Sequence, residues 1–279
     1  MAANIGYCRL CNSDGVLSKS HFIPNSYIKA VKKMGYGKSF LDTNGRFAQD
    51  FFKEYFLCGN CESIFCKYEK YFKENIYDLG AMRAEIQYDA TKVKYFALSI
   101  AWRLLQHDIE QSKQKLKHEI ERLKNLYCDT IDKHEFDEAA DKLDKIYVEP
   151  RSQTLEKWRQ SLLHENHNDI QQIPIYLLPI ERIKPFTDIE GLAGWMSVSF
   201  GFRRKTQYAV IKIPKFFLIC STNDNISGLN EFQISGQLEI VYTNITQEMI
   251  DILIECSDEL INIRLVEESI ERAKKQKEK

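Results

Sequence analysis

From Cys61 onward, Phe65, Tyr68, Phe72, Ile76 and Leu79 recur at steps of three and four, the spacing that keeps side chains on one face of an α-helix. A helix is therefore expected to open at the cysteine. In its frame Glu62, Cys66 and Glu69 share the neighbouring face, and Glu62 can point back over the preceding segment. A longer helix is expected from about Thr91 to Tyr127, with Val93, Phe96, Ile100, Leu104, Leu116, Ile120 and Leu123 on its apolar side and Trp102 and Arg103 at mid-length. Two more, over 135–146 and 152–164, follow from Phe136, Ala139, Ala140 and Leu143 and from Leu155, Trp158 and Leu162. Upstream, Pro24 and Asn25 start a short helix that ends by Gly35. Strand patterns take other stretches. Phe47 to Leu57 reads as a strand running into Cys58, and Ile173 to Ile183, Trp195 to Phe202 and Tyr208 to Cys220 are β-branched and aromatic runs with turn-forming residues between them. They predict a small, mostly antiparallel sheet, to which Leu238 to Tyr242 adds a strand. After Thr246 as N-cap, Met249 to Ile261 reads as helix, with a charged tail from Glu267 to Lys279.

These elements predict an α+β protein in three parts: a cysteine-bearing finger over 1–80, a helical region over 81–168, and a β-rich domain with a C-terminal helix over 169–279. A hydrophobic fraction of 44% with 12% aromatic residues is that of a folded chain rather than a disordered one. No apolar run approaches the roughly 20 residues of a membrane helix, and Met1 to Tyr7 is too short and uncharged for a signal peptide. No membrane partner is expected. Cys66, Cys128, Cys220 and Cys256 are scattered singly, which fits a reducing cytoplasm better than a disulfide framework. The net charge of −1 decides nothing about nucleic acid, but its distribution is uneven. Residues 1–80 hold eleven Lys/Arg against eight Asp/Glu and 91–125 hold eight against four, whereas 126–170 hold six against eleven. Basic charge gathers beside the finger. Lys113 to Lys124 reads either as a solvated helix face or as a phosphate-facing surface.

The chemistry is concentrated near the start. Cys8 and Cys11 form one Cys-x-x-Cys pair and Cys58 and Cys61 another. Two such pairs suit a tetrahedral zinc ion, each knuckle offering two thiolates with a bite matched to Zn–S geometry; redox-active or simply buried thiols are the other reading. His21 lies between the pairs in Ser20-His21-Phe22-Ile23-Pro24, and a neutral imidazole there can accept a proton near neutral pH or can merely orient the finger. Lys29, Lys32, Lys33 and Lys38, with Tyr27, Tyr36 and Phe40, read as phosphate contacts and base-stacking aromatics, or as an exposed amphipathic helix. Arg103 reads as a structural ion pair and Arg203-Arg204-Lys205 as a charged turn. His107, His118, His134, His164 and His167 lack ligand spacing and carry no expected role.

A histidine shortly after a zinc knuckle, with an acidic residue directly after the last cysteine, resembles the HNH endonucleases of the treble-clef, ββα-metal (His-Me finger) class over roughly residues 7–75. Ser20-His21-Phe22-Ile23-Pro24, Leu57-Cys58-x-x-Cys61-Glu62 and Phe96-Ala97-Leu98-Ser99-Ile100-Ala101-Trp102-Arg103 together look like a group of bacterial HNH-like proteins, which extends the likeness to about residue 105. The resemblance implies a metal-dependent endonuclease that hydrolyses phosphodiester bonds of nucleic acid, DNA rather than RNA, in anti-phage defence or restriction, with a protein partner in a defence complex. It assigns His21 as general base, Glu62 as ligand of a catalytic Mg²⁺ or Mn²⁺, and the four cysteines to structural zinc. Three positions depart from the pattern: Ser20 stands where the family has a metal-binding aspartate, Lys53 where it has asparagine, and Glu62 where it has a final histidine. Those departures support a different reading, a non-catalytic zinc module that binds nucleic acid or assembles a complex.

Overall fold

The structure, a computed structural model, describes residues 3–33, 40–41, 47–48, 53–79, 85–126, 133–180, 196–203, 206–222, 225–226 and 228–239. Its first part contains β1 (Ile5–Tyr7), β2 (Asp14–His21), α1 (Asn25–Val31), β3 (Phe40–Leu41), β4 (Phe47–Ala48), β5 (Lys53–Cys58) and α2 (Gly59–Phe72), which runs into a π-helical turn at Lys73–Tyr77. Then follow β6 (Glu85–Gln87), α3 (Ala90–Leu126), α4 (Lys133–Leu143), α5 (Glu149–Leu163) and α6 (His167–Gln172). The last part holds β7 (Ile175–Pro179), β8 (Ser197–Arg203), β9 (Thr206–Ile213), β10 (Phe216–Ser221) and β11 (Gln237–Glu239). Helices and antiparallel sheets together make the fold α+β.

Two sheets matter for the site. A three-stranded sheet has the order β1-β2-β5 and a four-stranded one the order β7-β10-β9-β8; all their pairings are antiparallel. Several expected elements differ in detail. The Phe47 to Leu57 run is divided, because β4 pairs with β3 while β5 pairs with β2. The Tyr208 to Cys220 run is broken at Pro214, where the chain turns and sets Ile213 opposite Phe216; proline has no N–H for a ladder. Leu238 does enter a strand, but β11 pairs with β6 apart from the main sheet. Helix α6 has no apolar period long enough to betray it, and its start is made by Asn166, which accepts from the Asp169 N–H. The expected helix over Met249 to Ile261 and the charged tail lie outside the described residues.

Every side chain of α3 from Val93 to Leu105 is buried, a consequence of contact with α2, α5 and the four-stranded sheet. Beyond Ile109 the same helix runs out half-covered, so Leu116, Ile120 and Leu123 form only a partly covered stripe. Between α2 and α3 the packing is aromatic. Tyr68 stacks on Tyr95 with ring centroids 3.8 Å apart and Phe72 on Phe96 at 4.3 Å, while Trp102 meets Phe56 edge-on at 5.3 Å and Phe65 at 6.1 Å. Such rings bury large area and constrain helix position through preferred geometries. The finger is thus seated on α3 through Phe56 and Trp102, and this seating decides what surrounds His21.

Candidate functional site

Cys8 and Cys11 sit in the turn joining β1 to β2. That turn closes with the Cys8 N–H donating to Ser13 O (2.9 Å) and Asn12 N–H donating to Cys8 O (2.8 Å), with Asn12 at φ 59; asparagine is among the few side chains that tolerate this left-handed backbone. Cys58 ends β5 as the N-cap of α2, and Cys61 lies in the first helical turn. All four Sγ atoms fall within 4.8 Å of one another, and Cys11 Sγ lies 3.8 Å from Cys58 Sγ. Zn–S bonds of about 2.3 Å in a tetrahedron place sulfurs roughly 3.8 Å apart. The donor set therefore fits zinc. Burial raises the thiols of Cys8 and Cys61. Burial opposes ionisation of Cys11 too, but hydrogen bonds from Ser13 and the neighbouring thiols bring it down to about 6. A dication among the sulfurs would favour all four thiolates, and the α2 N-terminus adds its dipole.

The knuckle is braced from a distance. Arg159 on α5 donates from Nη1 to Leu10 O at 2.6 Å, while Glu156 holds the same guanidinium through Nε and Nη2, both at 2.7 Å. Arg9 reaches Glu110 on α3 at 3.0 Å. No local signal in the sequence announces Arg159, because its target lies 149 residues away. Arg159→Ala is expected to cost about 1.5–3 kcal/mol of stability, the range for a lost charge-assisted bond, and to speed removal of zinc loaded at the four cysteines. A colorimetric chelator reads that rate directly, and an unchanged rate would show that the brace is irrelevant to the knuckle.

Next to this centre, Ser20 is 2% exposed and donates from Oγ to Glu62 Oε2 at 2.5 Å. The residue before His21 is thereby joined to the residue after Cys61. His21 itself is partly buried, with Nε2 enclosed by protein, and its main-chain oxygen accepts from Arg103 Nη1. Arg103, 2% exposed, also donates from Nη1 to Phe22 O (3.4 Å) and from Nη2 to Glu69 Oε1 (2.9 Å) and Ser99 Oγ (3.4 Å), and lies over the Phe65 ring at 4.8 Å. The expected ion pair is present, and it grips the end of β2. One turn along α3, His107 meets Phe22 edge-on at 5.5 Å and lies 3.2 Å from Glu54 Oε1 through Nδ1. Sequence reasoning gave His107 no role; a four-residue step from Arg103 was the signal available.

Both additional carboxylates near the site are thus engaged, Glu69 by Arg103 and Glu54 by His107. Among the described residues, the four cysteines are the only group of three or more metal-ligating side chains. Lys29, Lys32 and Lys33 are exposed on and just past α1. Lys38 lies outside the described residues, as does Tyr36, and of the Phe40 side chain nothing is described. Tyr27 does not serve as a stacking surface: it is fully buried, 4.8 Å from Tyr77 between ring centroids and packed against Phe72 and Phe96. The spacing that sends the lysines of α1 outward turns Tyr27, Ile28 and Val31 inward. Among the described residues, no helix is long and apolar enough to cross a membrane. Comparison with protein-family models, with curated proteins and with solved structures finds no match to this chain.

Proposed function

We propose that the N-terminal part of this protein is a zinc-organised, treble-clef HNH-like site that hydrolyses phosphodiester bonds of nucleic acid, DNA rather than RNA, in bacterial defence or restriction. The observation that carries this reading is the Ser20–Glu62 hydrogen bond, which joins the position before the general base to the position after the fourth cysteine. Zinc at Cys8, Cys11, Cys58 and Cys61 would lock β2 against the start of α2 and so hold those two positions together.

In the reaction, His21 takes the proton from an attacking water; Arg103 fixes the backbone from which the imidazole projects. Glu62 is the hard oxygen ligand available to a catalytic Mg²⁺ or Mn²⁺, with the Ser20 hydroxyl beside it. Such an ion supplies positive charge against the departing 3′ oxygen. With Glu69 and Glu54 drawn to Arg103 and His107, the ligand set suits an ion that keeps most of its water, as Mg²⁺ does. The same engagement favours the second reading, in which the finger is a non-catalytic module that binds nucleic acid or assembles a defence complex.

Cleavage of plasmid, linear duplex, single-stranded DNA and RNA with Mg²⁺ or Mn²⁺ separates the two. Metal-dependent cutting is expected, reduced at least about a hundredfold in a folded, zinc-replete His21→Ala variant. Cutting that survives the substitution, or no cutting by either protein, removes the nuclease reading and leaves the module.

A further inference from the structure

Residues directly opposite in an antiparallel pair point to the same side of the sheet, and so do residues two apart along a strand. Between β2 and β5 the partners are Lys19 with Tyr55, Ser20 with Glu54, and His21 with Lys53. Register therefore places Lys19, His21, Lys53 and Tyr55 on one face, while Ser20 and Glu54 take the other, where Glu62 and His107 meet them. A register shift between Ser18 and Lys19 marks the start of this arrangement: Ser18 pairs with Leu57 and Lys19 with Tyr55, so Phe56 has no partner on β2 and its carbonyl accepts from the Arg9 N–H instead (3.0 Å).

On the first face an aromatic ring stands half open to solvent. Phe56 and Leu57 are buried, yet Tyr55 beside them is 47% exposed and Lys19 is exposed over its ring, Nζ lying 5.6 Å from the centroid. A half-exposed ring with two lysines on its face, in the row that ends at His21, matches a ligand carrying flat π-surfaces along a negatively charged backbone. We propose that this face is a platform for single-stranded nucleic acid, with an unpaired base stacking on Tyr55 and the flanking phosphates meeting Lys19 and Lys53. The proposal rests on the nucleic-acid reading above and deepens it by naming the strandedness of the substrate.

The physical argument for single strands is stacking. In a duplex both faces of each interior base are already covered by neighbours, so a ring standing on a sheet gains nothing unless a base is extruded. An unpaired base offers a free face whatever its identity. Tyr55 thus favours single strands without selecting a sequence, and the lysines supply charge that salt screens.

Fluorescence anisotropy with a labelled oligo(dT) of about twelve nucleotides, within the usual site size of such proteins, tests the proposal. An oligo(U) and a duplex of the same length complete the set, with zinc-replete protein and no added Mg²⁺ or Mn²⁺. Single strands, deoxy or ribo, should bind more tightly than the duplex. Tyr55→Ala should weaken single-strand binding about tenfold, Tyr55→Phe should restore it, and Lys19→Ala should lower the salt slope by about 0.7. Duplex binding as tight as single-strand binding, or Tyr55→Ala binding like the parent with its zinc and circular dichroism retained, overturns the platform. The cleavage assay reads the other hypothesis independently: cutting that persists when Tyr55→Ala binds normally sinks the platform alone, while Tyr55-dependent binding without cutting sinks only the nuclease.

Discussion

Replacement of Cys61 by serine is expected to abolish zinc retention, from about one ion per chain to almost none, and to unfold the N-terminal finger. The sheet it stabilises is small, with strands of 3, 8 and 6 residues, and sheets of this size hold little apolar area of their own. Zinc bound by such a set supplies on the order of 10 kcal/mol or more to folding, and a serine hydroxyl, which stays protonated, does not replace a thiolate. Cys61 is also 3% exposed at the start of α2, so the damage reaches the helix that carries Glu62. Metal analysis together with thermal unfolding checks this. A stable, fully folded Cys61→Ser protein holding zinc would defeat the assignment.

Acid should act in the same direction. Zinc binds thiolates, so protons compete with it, and affinity falls as pH falls. Because burial raises Cys8 and Cys61, each must lose its proton on binding at neutral pH. Cys11, lowered to about 6, is already ionised there and joins the competition only below about pH 6. The pH dependence of zinc affinity should therefore steepen below that point. A competition titration against a chelator across this range measures it.

Loss of the Arg103 guanidinium should be nearly as severe. Arg103→Ala strips two carbonyls of β2's exit of their donor and leaves the Glu69 carboxylate, 18% exposed, without its ion-pair partner. Breaking a buried pair on one side typically costs about 3–5 kcal/mol, because the remaining charge is stranded in a poor solvent. Lysine is a weak substitute, since one ammonium cannot serve carbonyls and carboxylate along the directions a planar guanidinium reaches. Urea unfolding should show the loss, and Arg103→Met with Glu69→Gln should recover part of it by removing both charges. If Arg103→Ala unfolds at the parental midpoint, the grip on His21 has been misjudged. A cleaving protein would lose activity with it, because the backbone at His21 would be free to shift.

What could be read along the chain was local. The three- and four-residue steps from Phe65 to Ile76 and from Val93 to Leu104 mark α2 and α3, since a helix brings together residues close in sequence. The Cys-x-x-Cys spacing marks the knuckles for the same reason. Sequence reading misplaced Tyr27 by grouping it with the lysines beside it, although the spacing of α1 puts it in the inward stripe with Ile28 and Val31. It also passed over Pro214 within the run that became β9 and β10, although a missing N–H there was a usable signal.

By itself the sequence determined that four cysteines in two Cys-x-x-Cys pairs flank a histidine, and that a helix begins at the second pair with an acid in its first turn. Only the tertiary structure decided which carboxylates surround that histidine. Seating Trp102 against Phe56 carries Arg103 to Glu69 and His107 to Glu54, leaving Glu62 with Ser20, and the same register turns Tyr55 and Lys19 outward beside His21. Residues at least 34 positions apart meet in these contacts, and no local period encodes such meetings: they follow from which buried faces fit together.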